Sequence, residues 1–365
     1  MNSVYIHIPF CSTICSYCDF CKFLYNEEWV EKYLNELEKE IKSKYNGELI
    51  KTLYIGGGTP SCLSIAELTK LFEIIKYFNK DINCETTFEC NIENINEEKL
   101  LFLLNNKVNR LSIGVQTFND NYLSFLNRKH VETEIKDKIE FAKKIGFDNI
   151  SIDLIYAIPN QTINELKMEI DKFIELDINH ISTYSLIIES NTKLNIDNIS
   201  NIDEALDKEM YDYITNRLLK KGFNHYEISN FAKPGYESKH NLVYWNNQNY
   251  YGFGLGASGY INDIRYENTR SFNNYLNGKY VLNEEVLDKQ KTIENEYILG
   301  FRKIKGINKV DFYNKFRVDI SKNKNIQKNI KEGKIIDDGE NIFIKKEYIY
   351  ISNSILIDFI GDDYE

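Results

Sequence analysis

Cys11, Cys15 and Cys18 stand in a Cys-x3-Cys-x2-Cys spacing close to the start of the chain. One loop can wrap three such thiolates around a [4Fe–4S] cubane. The usual site for that cluster takes four cysteines, so three leave one iron open. An open iron can chelate the amino and carboxylate groups of a methionine moiety. When the ligand is S-adenosylmethionine (SAM), an electron from the cluster breaks a C–S bond at the sulfonium and releases a 5′-deoxyadenosyl radical. A zinc knuckle would pair two Cys-x2-Cys or Cys/His halves at a distance, and no second half follows. Cys21 extends the run and is the one candidate for a fourth ligand, although Tyr17 and Phe20 beside it read as packing around a cluster. Cys62, Cys84 and Cys90 read as small buried residues.

Other residues could hold the rest of such a ligand. The run Ile55-Gly56-Gly57-Gly58-Thr59-Pro60 permits positive φ and close backbone approach, so a ligand's amino group can meet bare carbonyls. Glu89, Gln116, Arg128 and Asp153 follow at or just beyond further apolar runs. Together they could bind an amine, a carboxylate and ribose hydroxyls. Taken singly, each reads equally well as a solvated rim residue.

Positioning these groups requires a repeating frame. Strands are predicted at Val4–His7, Thr52–Ile55, Thr86–Glu89, Arg110–Ile113, Asn149–Asp153 and His180–Ser185. Helices are predicted at Trp29–Ser43, Ile65–Phe78, Glu97–Leu104, Glu132–Lys144 and Ile163–Leu176. A helix in each crossover means parallel strands. Pro9, Pro60 and Pro159 fall just past strand C-terminal ends, in the loops that carry the chemically suggestive residues. In β/α barrels that face holds the active site. The fold class is therefore α/β, a partial (β/α)6 barrel. It is expected to span residues 1–232, with a connecting segment over 233–285. A small C-terminal α+β, winged-helix-like domain follows over 286–365, with helices Thr292–Lys303 and Val310–Phe316 and strands Ile342–Lys345 and Tyr348–Ile351.

The formal net charge of −10 over 365 residues argues against nucleic acid as a partner. The first apolar run ends at Pro9 and Cys11, too soon for a signal peptide. No stretch approaches the roughly 20 apolar residues of a membrane span. The cysteines are odd in number and crowd the first quarter of the chain, unlike a secreted disulfide framework. The expected location is the cytoplasm.

The stretches Tyr5–Phe20, Gly56–Ser61, Asn109–Phe118, Ser151–Thr162, Tyr226–Gly235, His240–Trp245 and Tyr251–Ser258 together resemble the oxygen-independent coproporphyrinogen III oxidase family of radical SAM proteins. The resemblance implies that Cys11, Cys15 and Cys18 ligate the cluster and that Tyr5, Gly57 and Glu89 hold SAM. It places Tyr17, Gly58, Thr59, Gln116, Arg128 and Asp153 against adenosine or a second SAM, and it assigns no catalytic residue. Within the family the chain resembles the heme-chaperone branch. Only Met1–Ser3 precede the first strand where the oxidases carry an arm, and His240-Asn241-Leu242-Val243-Tyr244-Trp245 matches a His-Asn-x-x-Tyr-Trp motif of the chaperones. The implied function is to bind heme and deliver it to an acceptor protein, with an electron donor serving the cluster. The alternatives are decarboxylation of coproporphyrinogen III and radical chemistry on an unrelated substrate. Of the five histidines, His240 is expected to ligate heme iron from an aromatic-rich loop. His130 and His180 read as cap or surface residues. Ala157 and Asn160 replace usual glycines of the family, Ile92 a common proline, and Ser258 a frequent histidine.

Overall fold

In a computed structural model that describes residues 2–361, six strands alternate between two environments. They are β1 (Asn2–Ile8), β2 (Ile50–Gly57), β3 (Lys80–Asn91), β4 (Arg110–Gln116), β5 (Ile150–Tyr156) and β6 (His180–Ser185). Each pairs in parallel with the next. One face is apolar and buried, with Ile6, Leu53, Phe88, Ile113, Ile152 and Ile181. It packs under α1 (Glu27–Lys44), α2 (Ile65–Ile75), α3 (Glu97–Asn105), α5 (Glu132–Ile145) and α6 (Ile163–Glu175), while the short α4 (Asp120–Phe125) sits in a loop. The opposite face carries Tyr5, Tyr54, Glu89, Arg110, Ser112, Asp153 and Ser182, one residue in two, as the pleat dictates. Parallel sheets are ordinarily apolar on both faces, so a polar face marks a surface built around something other than core.

The starts of two crossover helices are locally encoded. Ser64 with Glu67, and Thr162 with Glu165, form reciprocal capping boxes that satisfy backbone N–H groups at the heads of α2 and α6.

The sheet does not close on itself. After β6 come β7 (Asn224–Glu227) and β8 (Asn230–Ala232), and β8 lies antiparallel to β6. At the other end β9 (Tyr250–Phe253) is parallel to β1 and leads into the antiparallel β10 (Ser258–Ile261), β11 (Ile264–Asn268) and β12 (Val281–Val286). The result is one open sheet of twelve strands. Residues 233–285, expected as a connector, are thus built into the barrel sheet by four strand pairings.

Beyond it, helices Lys289–Gly300, Lys309–Phe316 and Lys324–Lys331 surround a small antiparallel sheet. Its strands are β13 (Ile307–Asn308), β14 (Ile335–Asp337) and β15 (Asn341–Ile344). The expected strand Tyr348–Ile351 is not formed. Lys346–Tyr348 is a 3-10 turn leading to a helix at Ser352–Leu356, and β15 pairs with β14 instead. Ile335, Ile342 and Ile344 together supply the buried face of that hairpin, and packing outweighs the β-propensity of the later run. Met1 and residues 362–365, at the ends of the expected first and last segments, lie outside the described residues. Among the described residues no helix is long and apolar enough to cross a membrane.

Candidate cluster and SAM site

The cysteine loop leaves β1 and is clamped at its base. Phe10–Cys11 pairs in parallel with Phe23–Leu24; Phe23 N–H donates to Pro9 O at 2.6 Å, and Tyr25 N–H to Cys11 O at 2.8 Å. Farther out, Ser16 N–H donates to Leu126 O at 3.1 Å and Asn127 Nδ2 to Ile14 O at 2.8 Å. Cys11, Cys15 and Cys18 all line a cavity of about 370 Å³ whose wall runs from β2 to β6 at their C-terminal ends. Only a curved sheet can bring Tyr54, Glu89, Ser112, Asp153 and Ser182 to one cavity.

The donor set fits a cluster. Arg128 Nη1 donates to Cys15 Sγ and Thr59 Oγ1 to Cys11 Sγ, both at 3.5 Å. Burial pushes the Cys11 thiol up to about 11, so nearby positive charge is needed to hold it as a thiolate, as bound iron would supply. Among the described residues no three His, Cys, Asp or Glu side chains converge as they would on a single ion. A cubane asks something different, one thiolate for each of three irons. Cys21 is turned away: it lies outside the cavity lining, with its Sγ directed to Arg270 O at 3.9 Å.

The three glycines make room for three different things. A Cβ on Gly56 would come within 2.7 Å of the Glu89 carboxylate, and one on Gly58 within 2.9 Å of Cys11 Sγ; Gly57 has a φ of +118°. Gly57 N–H donates to Glu89 Oε2 at 3.0 Å and the Tyr54 hydroxyl to Oε1 at 2.7 Å. Burial nevertheless pushes the Glu89 carboxyl up to about 7 and that of Asp153 up to about 6. Gln116 reaches the cavity through a bulge: the register with β5 slips between Gly114 and Gln116, and Gln116 has a φ of +71°. Arg128 is folded back by α4 and by Asn127, whose φ is +56°. Its Nη2 donates to Gly114 O at 2.7 Å and Asn91 Oδ1 at 2.9 Å.

Tyr17, Gly57, Gly58, Thr59, Glu89, Gln116, Arg128 and Asp153 therefore meet around the cavity with the three cysteines. Tyr5 and His240 do not. Tyr5 stands one shell back. Cys21 O can only accept from His7 Nε2 at 2.7 Å, so His7 Nδ1 is an acceptor and the Tyr5 hydroxyl donates to it at 2.9 Å. His240 requires a correction. It lies not in a loop but in the helix Lys239–Trp245, 1% exposed, with Nδ1 at 2.8 Å from Thr52 Oγ1 and Nε2 at 2.8 Å from Tyr244 Oη. Glu85 caps the start of that helix by accepting from His240 N–H at 3.0 Å. The motif thus plugs the end of the barrel at the N-terminal ends of β2 and β3. His130 and His180 are likewise buried, not surface residues. Sequence reasoning missed Tyr54, Asn91, Arg110, Ser182, Tyr184 and Asn241, which also line the cavity. The signal was present in β4, where Arg110, Ser112, Gly114 and Gln116 alternate with Leu111, Ile113 and Val115. A larger cavity of about 740 Å³ lies by the C-terminal helices and contains none of the candidate residues.

The departures at Ala157 and Asn160 have a physical meaning, because their φ values are +60° and +68°. A left-handed conformation costs an L-residue about 1–2 kcal/mol relative to glycine. Ala157→Gly is therefore expected to raise stability by about 1 kcal/mol, net of glycine's greater freedom in the unfolded chain. Denaturant melts of the two proteins measure this, and a less stable variant would contradict it.

A polar-lined partial barrel with a three-cysteine loop at the C-terminal ends of its strands defines a radical SAM protein. The Radical SAM superfamily profile matches residues 5–173. The fold superposes on coproporphyrinogen III oxidase (HemN) from Escherichia coli with a TM-score of 0.86, over 99% of this chain and 90% of that one, at 21% identity. Proteins named heme chaperone HemW are closer in sequence. That of Lactococcus lactis is 41% identical, covering 99% of this chain and 98% of its own, and that of Bacillus subtilis 37%, covering 99% and 100%. The chain belongs to the HemW family of radical SAM proteins.

Proposed function

We propose that this protein binds heme and passes it to an acceptor protein in the cytoplasm, with a [4Fe–4S] cluster and SAM in the barrel cavity. What carries the reading is the match along essentially the whole chain to proteins named heme chaperones. In this reading Cys11, Cys15 and Cys18 hold the cluster, and Gly57 and Glu89 hold SAM. Tyr17, Gly58, Thr59, Gln116, Arg128 and Asp153 face the adenosine end, and Tyr5 acts on the site through His7. An electron donor protein serves the cluster. The geometry adds an apolar collar: Phe20 (68% exposed), Ile187 (62%) and Tyr184 (45%) stand at the cavity mouth beside Lys22, a surface suited to a flat apolar ring with acidic side chains. Seven free cysteines accord with a reducing compartment. The oxidase reading has only the shared fold behind it.

Anaerobic reconstitution followed by heme titration, read by visible absorbance, tests the proposal; no saturable Soret band would remove it. Because both His240 ring nitrogens are already bonded, His240→Ala is expected to keep the heme spectrum. It should lose about 1–3 kcal/mol of stability from the buried groups left unpaired. A folded His240→Ala protein with a lost or blue-shifted Soret band would reinstate that imidazole as the iron ligand.

A further inference from the structure

Arg110 opens β4 on its polar face, 2% exposed, and lines the cavity. A guanidinium stays charged at any physiological pH, and a buried charge normally has a partner. Among the described residues Arg110 has none: its Nε is orphaned, and no hydrogen bond or ion pair reaches the rest of the group. Arg128 differs: its Nε is likewise without a partner, but its two Nη nitrogens donate to Cys15 Sγ, Asn91 Oδ1 and Gly114 O. The nearest carboxylate by strand order, Glu89, is itself spent on Tyr54 and Gly57, and both it and Asp153 feel the Arg110 charge through space without bonding to it. Thr87, the register partner of Arg110 on β3, holds a second buried hydroxyl without a partner. What is lacking there is an acceptor.

We propose that Arg110 forms a carboxylate-binding subsite in the cavity, donating from its planar fork to the oxygens of a ligand carboxylate that are free to accept. That geometry favours carboxylate over a single-point anion. Two ligands of this protein could present the group: the methionyl carboxylate of SAM, or a heme propionate, the second resting on the function proposed above.

The test uses the full-length protein after anaerobic reconstitution, with Arg110→Gln and Arg110→Lys. SAM is compared with its decarboxylated analogue by calorimetry, and heme with heme dimethyl ester by absorbance. Arg110→Gln should weaken one carboxylate-bearing ligand about tenfold or more and leave its carboxylate-free partner unchanged. Arg110→Lys should fall between the wild type and Arg110→Gln. The pair that responds identifies the source. Without ligands, Arg110→Gln should melt no lower than wild type, because it removes a buried charge that no hydrogen bond or ion pair holds. Equal weakening within both pairs, no weakening in either, or a lowered melting temperature would overturn the subsite, the last by making Arg110 a structural cation. If the wild type binds no heme, the function proposed above fails, and the SAM pair still decides the case for Arg110.

Discussion

Single replacement of Cys11, Cys15 or Cys18 by alanine is expected to abolish cluster assembly, while Cys21→Ala assembles a normal complement of iron and sulfide. The reason is orientation as much as spacing. The first three thiols line the cavity, and two of them already accept from Arg128 and Thr59. Cys21 lies 9% exposed, under Gly256 and toward the backbone at Arg270. A cubane held by three cysteines cannot lose one without opening a second iron, and cluster stability depends on the thiolate count. Iron and sulfide analysis after anaerobic reconstitution reads the outcome. Retention of the cluster in Cys15→Ala together with its loss in Cys21→Ala would sink the assignment.

Glu89→Gln is expected to weaken SAM about tenfold to a hundredfold. The glutamine oxygen can still accept from Gly57 N–H, and its amide nitrogen can donate to the Tyr54 hydroxyl oxygen once that hydroxyl turns, so the main loss is the charge. A charge-assisted bond from an amino group to a carboxylate is worth roughly 1.5–3 kcal/mol. The pH dependence gives an independent check. Because burial pushes the Glu89 carboxyl up to about 7, it is largely neutral in mild acid, so wild-type affinity should rise from about pH 6 to about pH 8. Asp153, pushed up to about 6, adds slope only at the acid end, and Glu89→Gln should be flat above it. The stability effect has the opposite sign. A carboxyl whose folded value of about 7 exceeds its unfolded value of 4.5 favours the fold in acid, and loses that contribution as pH rises through about 7. Without ligand, wild type should therefore lose stability relative to Glu89→Gln across that window. Calorimetry at several pH values and paired denaturant melts decide the matter, and equal SAM affinities for the two proteins would rule out the role.

How much of this was legible in the residues follows from what each level of structure depends on. All six barrel strands and the five long crossover helices are encoded by local periodicity and capping, so each was legible to within about three residues except β3, which starts at Lys80 rather than Thr86. The cysteine loop and the polar strand ends were legible for the same reason. The errors concern contacts distant in the chain. His240 looked available because its neighbours are aromatic, yet Thr52 and Glu85, far earlier in the sequence, are what bury it. Arg110 passed unnoticed because a charged residue at a strand start ordinarily faces solvent. Its burial is visible only once β4 is seen flanked on both sides. Tyr348–Ile351 has the composition of a strand, yet it lies in a 3-10 turn and the start of the helix that follows.

The clamp at the base of the cysteine loop bears on how the metal site is acquired. Phe10–Cys11 is already stitched to Phe23–Leu24 by backbone hydrogen bonds that involve no sulfur. The entropy of closing that loop is thus charged to folding of the polypeptide rather than to iron. In small zinc domains the metal's binding energy is spent on assembling the fold. Here backbone hydrogen bonds close the base of the loop without any sulfur, so part of the closure entropy is met by the polypeptide and less of it falls on the iron–sulfur bonds.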